Sequence, residues 1–385
     1  MLSNVAIIIP VMNRIEFIER QLRYYAAVHC PHPIYIADGS TGEYQDKMTS
    51  LARHMQESLT VHLFNEPHTP IDVSIAHALE RVREPYACII GDDDFQIPNS
   101  LTLCADFLAT HLEYASAHGH AITLRIQDNG VYGTITKIKD YPQPEYTAPT
   151  ASERLLQFFS RYYVSLFSVA RTKDMMTYWQ HAGTISDVPF GCEILPCALA
   201  LIRGKSKLID CLGFVRQIHD RHKPVPNNFD WIIESQFSAS YHAFERISTK
   251  ALTVQNPIDF DQASKIVRQA FWLFLQKQLS NDYQILYGAT SARPPSPRAY
   301  LAQRLPWLKS AYNIIKPYIK KRLPLHAAVT QAGSLYYQDF QRLKTFIEPV
   351  RPFGRSLPPG STKAALTCGV VSPAKPNAVP HLPEG

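Results

Sequence analysis

Three consecutive aspartates, Asp92, Asp93 and Asp94, follow an apolar, strand-like run at residues 86–90 and Gly91. Crowded carboxylates repel one another, and burial adds to that cost unless a cation compensates. Hard divalent cations such as Mg²⁺ and Mn²⁺ prefer oxygen ligands and often combine one or two carboxylates with phosphate oxygens. The pattern predicts a metal site that stabilises a diphosphate leaving group. The structural alternative is an Asp-rich loop that caps the next helix.

The segment in front of these aspartates is the last of four strand-like runs, which alternate with helical patterns. Strands are predicted at residues 5–9, 33–37, 60–64 and 86–90, and helices at 15–28, 43–57, 72–83 and 98–111. Pro10 is predicted to end the first strand, and Pro98 to open the fourth helix. Strands separated by helices of this length indicate βαβ units and a mostly parallel sheet, and ligands bind beyond the carboxyl ends of such strands.

After Gly119 the pattern changes to a mixture of strands and helices. A hairpin is predicted for residues 122–126 and 131–135 around Asp128-Asn129-Gly130, because this turn sequence favours a tight reversal. Further predictions are strands at 164–170 and 208–219, and helices at 187–203 (kinked at Pro196), 229–247 and 259–287. The second half of the sheet is therefore expected to be irregular and rich in helices.

Three blocks of sequence resemble the family 2 glycosyltransferases, which have the GT-A fold. They are residues 7–14 (IIIPVMNR), 33–40 (PIYIADGS) and 85–98 (PYACIIGDDDFQIP), in the order and spacing of that family. The last block is most similar to a bacterial subgroup of predicted glycosyltransferases with a GDDDF-x-x-P motif, often followed by Ala-His-Gly, as at residues 117–119. The match covers residues 5 to about 120 and, more loosely, continues to about 220. Met12 and His77 depart from the usual Tyr and Asn.

The resemblance implies an α/β fold of the GT-A (Rossmann-like) type, a mostly parallel sheet flanked by helices, and a donor site at its edge. Its motifs place Pro10 and Asn13 beside the nucleoside and Asp38 where it accepts a hydrogen bond from the base. Asp92 would lie near the ribose or the metal, Asp94 would bind Mn²⁺ or Mg²⁺ directly, and Asp93 would lie nearby. Structural alternatives are a helix cap for Asn13 and a simple turn for Asp38.

A transferase that inverts the sugar also needs a carboxylate to take a proton from the acceptor hydroxyl. Glu193, in an otherwise apolar segment, is preferred over Asp187, whose position before Val188-Pro189 suits a helix N-cap. Near the end of the strand at 208–219, Arg216 is a candidate phosphate contact and His219 a candidate third metal ligand. A lone histidine more often packs or lies on the surface.

The sequence therefore predicts an inverting, metal-dependent glycosyltransferase that moves a sugar from a nucleoside diphosphate sugar to a saccharide or lipid-linked hydroxyl acceptor. Family analogy favours cell-surface polysaccharide or lipopolysaccharide synthesis. The alternative is a non-catalytic module of the same fold that binds a sugar nucleotide or metal. Gln96 and the position of the aspartates after the fourth strand both argue against a haloacid-dehalogenase-type phosphatase. A sugar-nucleotide pyrophosphorylase needs a glycine-rich loop, which the segment after the first strand lacks.

The predicted organisation is a GT-A domain at 1–220 with a nucleotide-sugar half (1–119) and an acceptor half (120–220). A helical extension (221–290), a basic helical region (291–350) and a disordered tail (351–385) follow. Residues 291–385 contain fourteen Lys or Arg and three Asp or Glu, a net charge of +11, which leaves −5 for residues 1–290 out of the total of +6. The amphipathic, basic stretch 298–323 suits either an anionic membrane surface or a solvated face packed on the main domain.

The predicted location is the cytoplasm, with peripheral contact at the inner face of the membrane through that basic stretch. Seven scattered cysteines without CxxC spacing argue against a disulfide framework or a zinc site. No run of about 20 apolar residues is present, and the start of the chain lacks the features of a secretory signal. No nucleic-acid partner is expected, and the sequence does not identify the sugar, the base or the acceptor.

Overall fold

The computed structural model of the chain describes residues 4–219, 227–288 and 323–348. Within these residues nine strands form one sheet in the order β3-β2-β1-β4-β8-β6-β9-β5, with β7 paired to β6. The strands are β1 (Val5–Val11), β2 (Ile34–Asp38), β3 (Val61–Asn65), β4 (Tyr86–Ile89), β5 (Phe95–Gln96), β6 (Tyr114–Ile126), β7 (Ile135–Tyr141), β8 (Val169–Arg171) and β9 (Lys205–Gln217).

Helices cover both faces of the sheet. They are α1 (Ile15–Ala27), α2 (Glu43–Met55), α3 (Ile71–Arg81), α4 (Pro98–Thr110), α5 (Ala151–Ser160), α6 (Thr172–Trp179), α7 (Leu195–Arg203), α8 (Asn228–Ile233), α9 (Phe237–Gln255), α10 (Phe260–Tyr287), α11 (Leu325–Ala328) and α12 (Tyr337–Ile347). Among the described residues, no helix is both long and apolar enough to cross a bilayer. The prediction of an α/β fold with helices flanking the sheet is confirmed.

The first four strands are parallel, as predicted, with β1 between β2 and β4. The prediction that Pro10 ends β1 is wrong, because β1 continues to Val11 and Pro10 lies opposite Ala37 of β2. Pairing with β4 stops at Ile8, so the missing N–H of Pro10 breaks no ladder bond on that side. The extra residues of β1 carry the chain further along the edge where β2 and β4 end.

The second half of the sheet depends on two long strands, β6 and β9, which run parallel to each other. Gly119 of β6 and Gly213 of β9 lie side by side with their backbones close together. A Cβ added to Gly119 would lie 2.7 Å from the Cα of Gly213. No side chain fits between backbones this close, which explains the glycine of the Ala-His-Gly segment. The register between β6 and β9 shifts around this contact.

The predicted hairpin is present, but its second strand was placed too early. A short 3-10 turn at Gln127–Asn129 follows β6, Asp128 and Asn129 both have positive φ, and β7 begins only at Ile135. The predicted helix at 187–203 is present: residues 188–203 are helical without a break, with a π-helical turn, Phe190–Ile194, directly before α7. Pro196 follows shortly after the π-helical turn, and both a proline and a π-type turn are common causes of a local irregularity in a helix.

Further differences concern helices and the short strands β5 and β8. The predicted helix 229–247 is two helices, α8 and α9, and the second extends to Gln255. Helices α5 and α6 were not predicted, nor was the two-residue strand β5. Strand 164–170 shortens to β8.

Two apolar cores lie on opposite faces of the sheet, and alternate residues of β1 contribute to each. Ile8 faces the core built with α3, α5, α7, α9 and α10, while Ile7 and Ile9 face the core built with α1, α2, α4 and α12. Helices α9 and α10 of the predicted extension thus share a core with the sheet. The predicted tail (351–385) and almost all of the basic stretch 298–323 lie outside the described residues, and the domain boundaries stay predictions.

Candidate active site

The candidate site lies at the edge of the sheet where β1, β2 and β4 end. Asn13 follows β1, Asp38 is the last residue of β2, and Asp92 follows β4. Strand β9 reaches the same edge, because β4 and β6 are both antiparallel to β8 and β9 is parallel to β6. The topology therefore brings Arg216, near the end of β9, to the edge that carries the aspartates, as the sequence predicts for an α/β sheet.

Asp92 and Asp93 share one partner, the guanidinium of Arg14 at the start of α1. Arg14 donates from Nη1 to Oδ1 of Asp92 at 2.8 Å and from Nη2 to Oδ2 of Asp93 at 3.0 Å. Nε2 of His219 lies 2.7 Å from the same Oδ2 of Asp93 and 3.1 Å from Nη2 of Arg14. The His219 ring stacks on Phe17, with 5.0 Å between ring centroids. Two aspartates, one arginine and one histidine thus form a compact charged cluster.

Asp94 has a different role from its two neighbours. Its Oδ1 accepts a hydrogen bond from the backbone N–H of Gln217 at 2.8 Å, and its backbone carbonyl accepts one from the side chain of Gln21 at 2.6 Å. These bonds connect the loop after β4 to β9 and to α1. In the described residues Asp94 thus fixes the loop, whereas Asp93 is the aspartate in contact with His219.

Burial makes the charges of these aspartates costly. Asp92, Asp93 and Asp94 are only 4–5% exposed. Burial raises the pKa of Asp92 to about 7, although Arg14 acts in the opposite direction. Burial, with Asp93 second, raises the pKa of Asp94 well above its usual range. A further positive charge at this edge would stabilise the ionised forms of both.

The donor chemistry at this edge suits a hard divalent cation, since carboxylate oxygens and an imidazole nitrogen converge. In the structure, however, these carboxylates and the imidazole contact the guanidinium of Arg14. Among residues 4–219, 227–288 and 323–348, no three His, Cys, Asp or Glu side chains are grouped in a way that could hold a metal. A metal could be held by Asp92, Asp93 and His219 only after Arg14 moved aside.

A cavity of about 270 Å³ opens beside the cluster. Its walls come from the ends of β1, β2 and β4 and from the start of α3, and include Pro10, Met12, Gly39, Ile71 and Asp92. Several of the predicted donor-site residues thus border one space. Such a volume lies just below the usual range for small-molecule sites, about 300–1,000 Å³.

Asp38 lies between two residues of the cavity wall, Ala37 and Gly39. Its Oδ1 accepts the backbone N–H of Ser40 at 2.9 Å. Its Oδ2 is buried and has no hydrogen-bond partner among the described residues, and burial raises the pKa of this carboxyl. A buried polar atom without a partner is a group that a ligand can satisfy.

Asn13 connects the loop after β1 to the loop after β2. Its backbone N–H donates to Oγ of Ser40 at 2.8 Å, and its Oδ1 accepts the N–H of Thr41 at 3.2 Å. The residue before the first turn of α1 is Arg14, which makes no side-chain cap bond. Asn13 therefore does not cap α1, and its positive φ of 56° shapes the loop that borders the cavity.

Glu193 lies in the π-helical turn and accepts a hydrogen bond at 2.6 Å from the hydroxyl of Tyr162. Burial raises the pKa of Glu193, while Tyr162 and then Arg216 lower it. Arg216 also lowers the pKa of Asp94. One guanidinium is thus close enough to act on both the carboxylate predicted as base and the third aspartate.

Asp187 uses both carboxylate oxygens within the fold. Oδ1 accepts a hydrogen bond from the backbone N–H of Phe190 at 2.9 Å, and Oδ2 accepts one from the Nε1–H of Trp231 at 2.8 Å. The first of these bonds is the N-cap contact that its sequence position suggests. The geometry thus gives Asp187 a structural role, and the choice of Glu193 as base stays a prediction.

No protein-family model matches the chain, and no curated protein matches its sequence. Among solved structures the chain is similar to residues 1–349 of S. aureus TarS, with a TM-score of 0.46 and 11% identity. The values are 0.49 and 11% for the complex of that protein with UDP-GlcNAc, and 0.46 and 12% for its complex with UDP. Each similarity covers 89% of this chain and 90% of the TarS chain. Values at this level assign no function to this chain.

Sequence reasoning missed the polar residues of α1 and Tyr162. Arg20 is fully buried and donates to the backbone carbonyl of Asp93 at 2.8 Å, while the side chain of Gln21 reaches the carbonyls of Gly91 and Asp94. One signal was available, since two polar residues interrupt the apolar face of an amphipathic helix next to Leu22. Polar groups at such positions need buried partners. For Tyr162 the sequence held no such signal.

Proposed function

We propose that this chain is a glycosyltransferase that uses a nucleoside diphosphate sugar as donor and a hydroxyl group as acceptor. The observation that carries the proposal is the cavity at the edge of the sheet. It is bordered on one side by Asp92 and Asp93 and on the other by the ends of β1 and β2. A nucleotide with one polar base and one charged diphosphate needs a site of this kind, with different polar groups at its two ends.

The nucleoside would lie against the loops after β1 and β2. Oδ2 of Asp38 is the acceptor that the base would satisfy, and Pro10 and Asn13 would shape the pocket. At the other end the diphosphate needs cations, and Arg14 and Arg216 both lie at the aspartate edge. A guanidinium presents several N–H donors in a plane and suits phosphate oxygens.

The proposed donor site includes a divalent cation, Mn²⁺ or Mg²⁺, held by Asp92 with Asp93, Asp94 and His219 as the further candidate ligands. When bound, the cation would neutralise the charge that develops on the departing diphosphate. Arg14 would have to leave Asp92 and Asp93 for this. Freed from them, its guanidinium would be available to the phosphate oxygens of the donor.

The proposed base is Glu193, which gives an inverting reaction. Its carboxylate takes the proton of the acceptor hydroxyl as the oxygen attacks the anomeric carbon, and the nucleoside diphosphate departs from the opposite face. Burial raises the pKa of Glu193, which brings the carboxylate nearer the pH at which a general base works well. The hydrogen bond from Tyr162 would hold it in position.

The proposed acceptor is a saccharide or a lipid-linked sugar in cell-surface polysaccharide or lipopolysaccharide synthesis, at the inner face of the membrane. This part of the proposal depends on the resemblance in sequence rather than on a contact in the fold. The alternative, a donor-binding module without turnover, is favoured by one observation. Arg14 already fills the space between Asp92 and Asp93.

The proposed transferase and the alternative donor-binding module differ in whether they turn the donor over. The full-length protein would be incubated with UDP-, GDP- and dTDP-sugars and Mn²⁺, and release of the nucleoside diphosphate measured, alongside donor binding by calorimetry. We expect slow hydrolysis of one donor class, lost in Asp92→Asn and retained in Asp106→Asn, a matched change at an exposed aspartate of α4. Binding without turnover would establish the module instead, and neither binding nor turnover of any donor would exclude both.

A further inference from the structure

A second cavity, of about 500 Å³, lies between α6, α7 and α9 and shares no lining residue with the cavity beside Asp92. We call it the helical groove. Its walls are partly cationic and partly apolar. The cationic residues are Arg203, Arg246 and Lys250, His181 lies in the same wall, and the apolar residues include Leu199, Ile202, Ile247 and Val254.

The cationic wall carries more positive charge than its neighbours balance. Arg203 donates to Asp174 at 3.0 Å, which neutralises one charge. Arg246 and Lys250 lie one helical turn apart on α9 and have no carboxylate partner among the described residues. After burial, these two residues are the causes that lower the pKa of His181, so their positive potential reaches across the groove. The wall therefore favours an anion.

The apolar wall combines side chains from two helices that differ in exposure. Ile247, Ala251 and Val254 lie on one side of α9, and Leu199 and Ile202 face the groove from α7. Val254 is 75% exposed. Leu199 and Ile202 are already buried in the core. Covering the exposed part of the wall on α9 with an apolar chain would be favourable by roughly 25 cal/mol for each Å² removed from water.

Tyr178, a lining residue of the groove, also has an unused hydrogen-bond donor. Tyr178 is 4% exposed, and its hydroxyl has no partner among the described residues. Burial, followed by Asp174, raises the pKa of this phenol, so it stays protonated. A buried hydroxyl without a partner costs free energy, and a ligand oxygen would remove that cost.

We propose that the helical groove binds an amphiphile that carries a phosphate group, with the phosphate at Arg246 and Lys250 and the apolar part along Ile247 and Val254. Two neighbouring cations without partners suit a phosphate, which has several charged oxygens, better than a singly charged group. A purely apolar ligand would leave the cations unused, and inorganic phosphate would leave the apolar wall in water. This inference does not depend on the proposed transferase reaction and stands if that reaction is absent.

The test uses the full-length protein and dodecyl phosphate below its critical micelle concentration, with binding followed by calorimetry. Inorganic phosphate and dodecyl maltoside serve as the head-group-only and neutral-amphiphile probes. We expect dodecyl phosphate to bind at least tenfold more tightly than either. Equal affinity for inorganic phosphate or for the maltoside would overturn the proposal, as would absence of binding.

Two variants locate the binding. Arg246→Ala/Lys250→Ala removes two exposed charges and should weaken binding at least tenfold, whereas Lys137→Ala/Lys265→Ala, which removes two exposed lysines elsewhere, should not. Tyr178→Phe should weaken binding at least threefold without lowering the melting temperature, because the lost hydroxyl has no partner in the fold. Equal binding by the two double variants would place the ligand elsewhere and overturn the inference.

Discussion

Nη1 of Arg14 donates a hydrogen bond of 2.8 Å to Oδ1 of Asp92, which joins the first residue before α1 to the first aspartate after β4. The same guanidinium reaches Asp93. The cluster therefore contains its own cation at the point where the sequence predicts a metal. If the metal proposal is right, Arg14 and the metal compete for the same carboxylates.

Arg14→Ala should tighten binding of Mn²⁺, because the carboxylates of Asp92 and Asp93 lose the partner that competes with the metal. A gain of about tenfold corresponds to about 1.4 kcal/mol. Calorimetry or electron paramagnetic resonance of free Mn²⁺ would measure it. Arg23→Ala, which removes an exposed arginine of α1 paired with Glu19, is the control and should leave the affinity unchanged. Unchanged or weaker Mn²⁺ binding in Arg14→Ala would mean that Arg14 and the metal do not compete for Asp92 and Asp93.

Asp92 should make the stability of the protein depend on pH. Its pKa is raised by burial from 3.8 to about 7 in the fold, so the folded state binds this proton more strongly than the unfolded state. Its contribution is fully present below about pH 4 and is lost as the pH rises through about 7. Urea unfolding of the metal-free protein between pH 4 and 8 should show this fall, and Asp92→Asn should make it smaller. An equal fall in both proteins would mean that other groups cause it.

The parts of the fold that follow from local pattern were predictable. The parallel β1–β4 half, its helices and the position of the aspartates depend on alternation of short apolar runs with amphipathic segments, a signal within single elements. Pro10 shows the limit of this reasoning. Proline usually ends a strand, yet β1 continues through it because the neighbouring strand β4 has already ended. A sequence does not reveal where a neighbouring strand stops.

The contacts that decide roles in the site were less predictable, because they join residues far apart in the chain. Glu193 was chosen for its apolar surroundings, but its partner Tyr162 lies 31 positions earlier, in a region without a pattern. Likewise, the N–H of Gln217 that holds Asp94 comes from β9, 123 positions later. The three aspartates look equivalent in sequence, and only these distant partners distinguish Asp94 from Asp92 and Asp93.

Gly119→Ala should destabilise the second half of the sheet. The added Cβ would lie 2.7 Å from Gly213, whose backbone has no room to retreat, and overpacking of this kind costs about 2 kcal/mol or more. Gly288→Ala is the matched change: this glycine has a positive φ of 57° but open space around it, so about 1 kcal/mol is expected. Urea unfolding would compare the two. Equal losses would mean that the contact with Gly213 costs no more than the backbone strain at Gly288.

Tyr162→Phe should shift the pH dependence of the proposed reaction. The phenol donates to Glu193 and lowers its pKa, so removal of the hydroxyl raises that pKa and moves the acidic limb of kcat/KM to higher pH. The ring contacts with Phe158 and Phe274 are retained. Tyr163→Phe, at the next position, is the control. An unshifted limb in Tyr162→Phe would show that Glu193 is not the group titrating in the profile.

Glu193→Gln and Asp187→Asn should separate the proposed base from a structural carboxylate. Loss of a general base slows a reaction by about 10² to 10⁴-fold, so Glu193→Gln should abolish measurable transfer while the melting temperature changes little. In Asp187→Asn, one oxygen at most can still accept. Either the N–H of Phe190 or Nε1 of Trp231 then loses its partner, at a cost of about 1–3 kcal/mol in unfolding free energy. Transfer rates and thermal unfolding, measured on both variants, decide between them: a stable Asp187→Asn protein without activity, beside an active Glu193→Gln protein, would reverse the two roles.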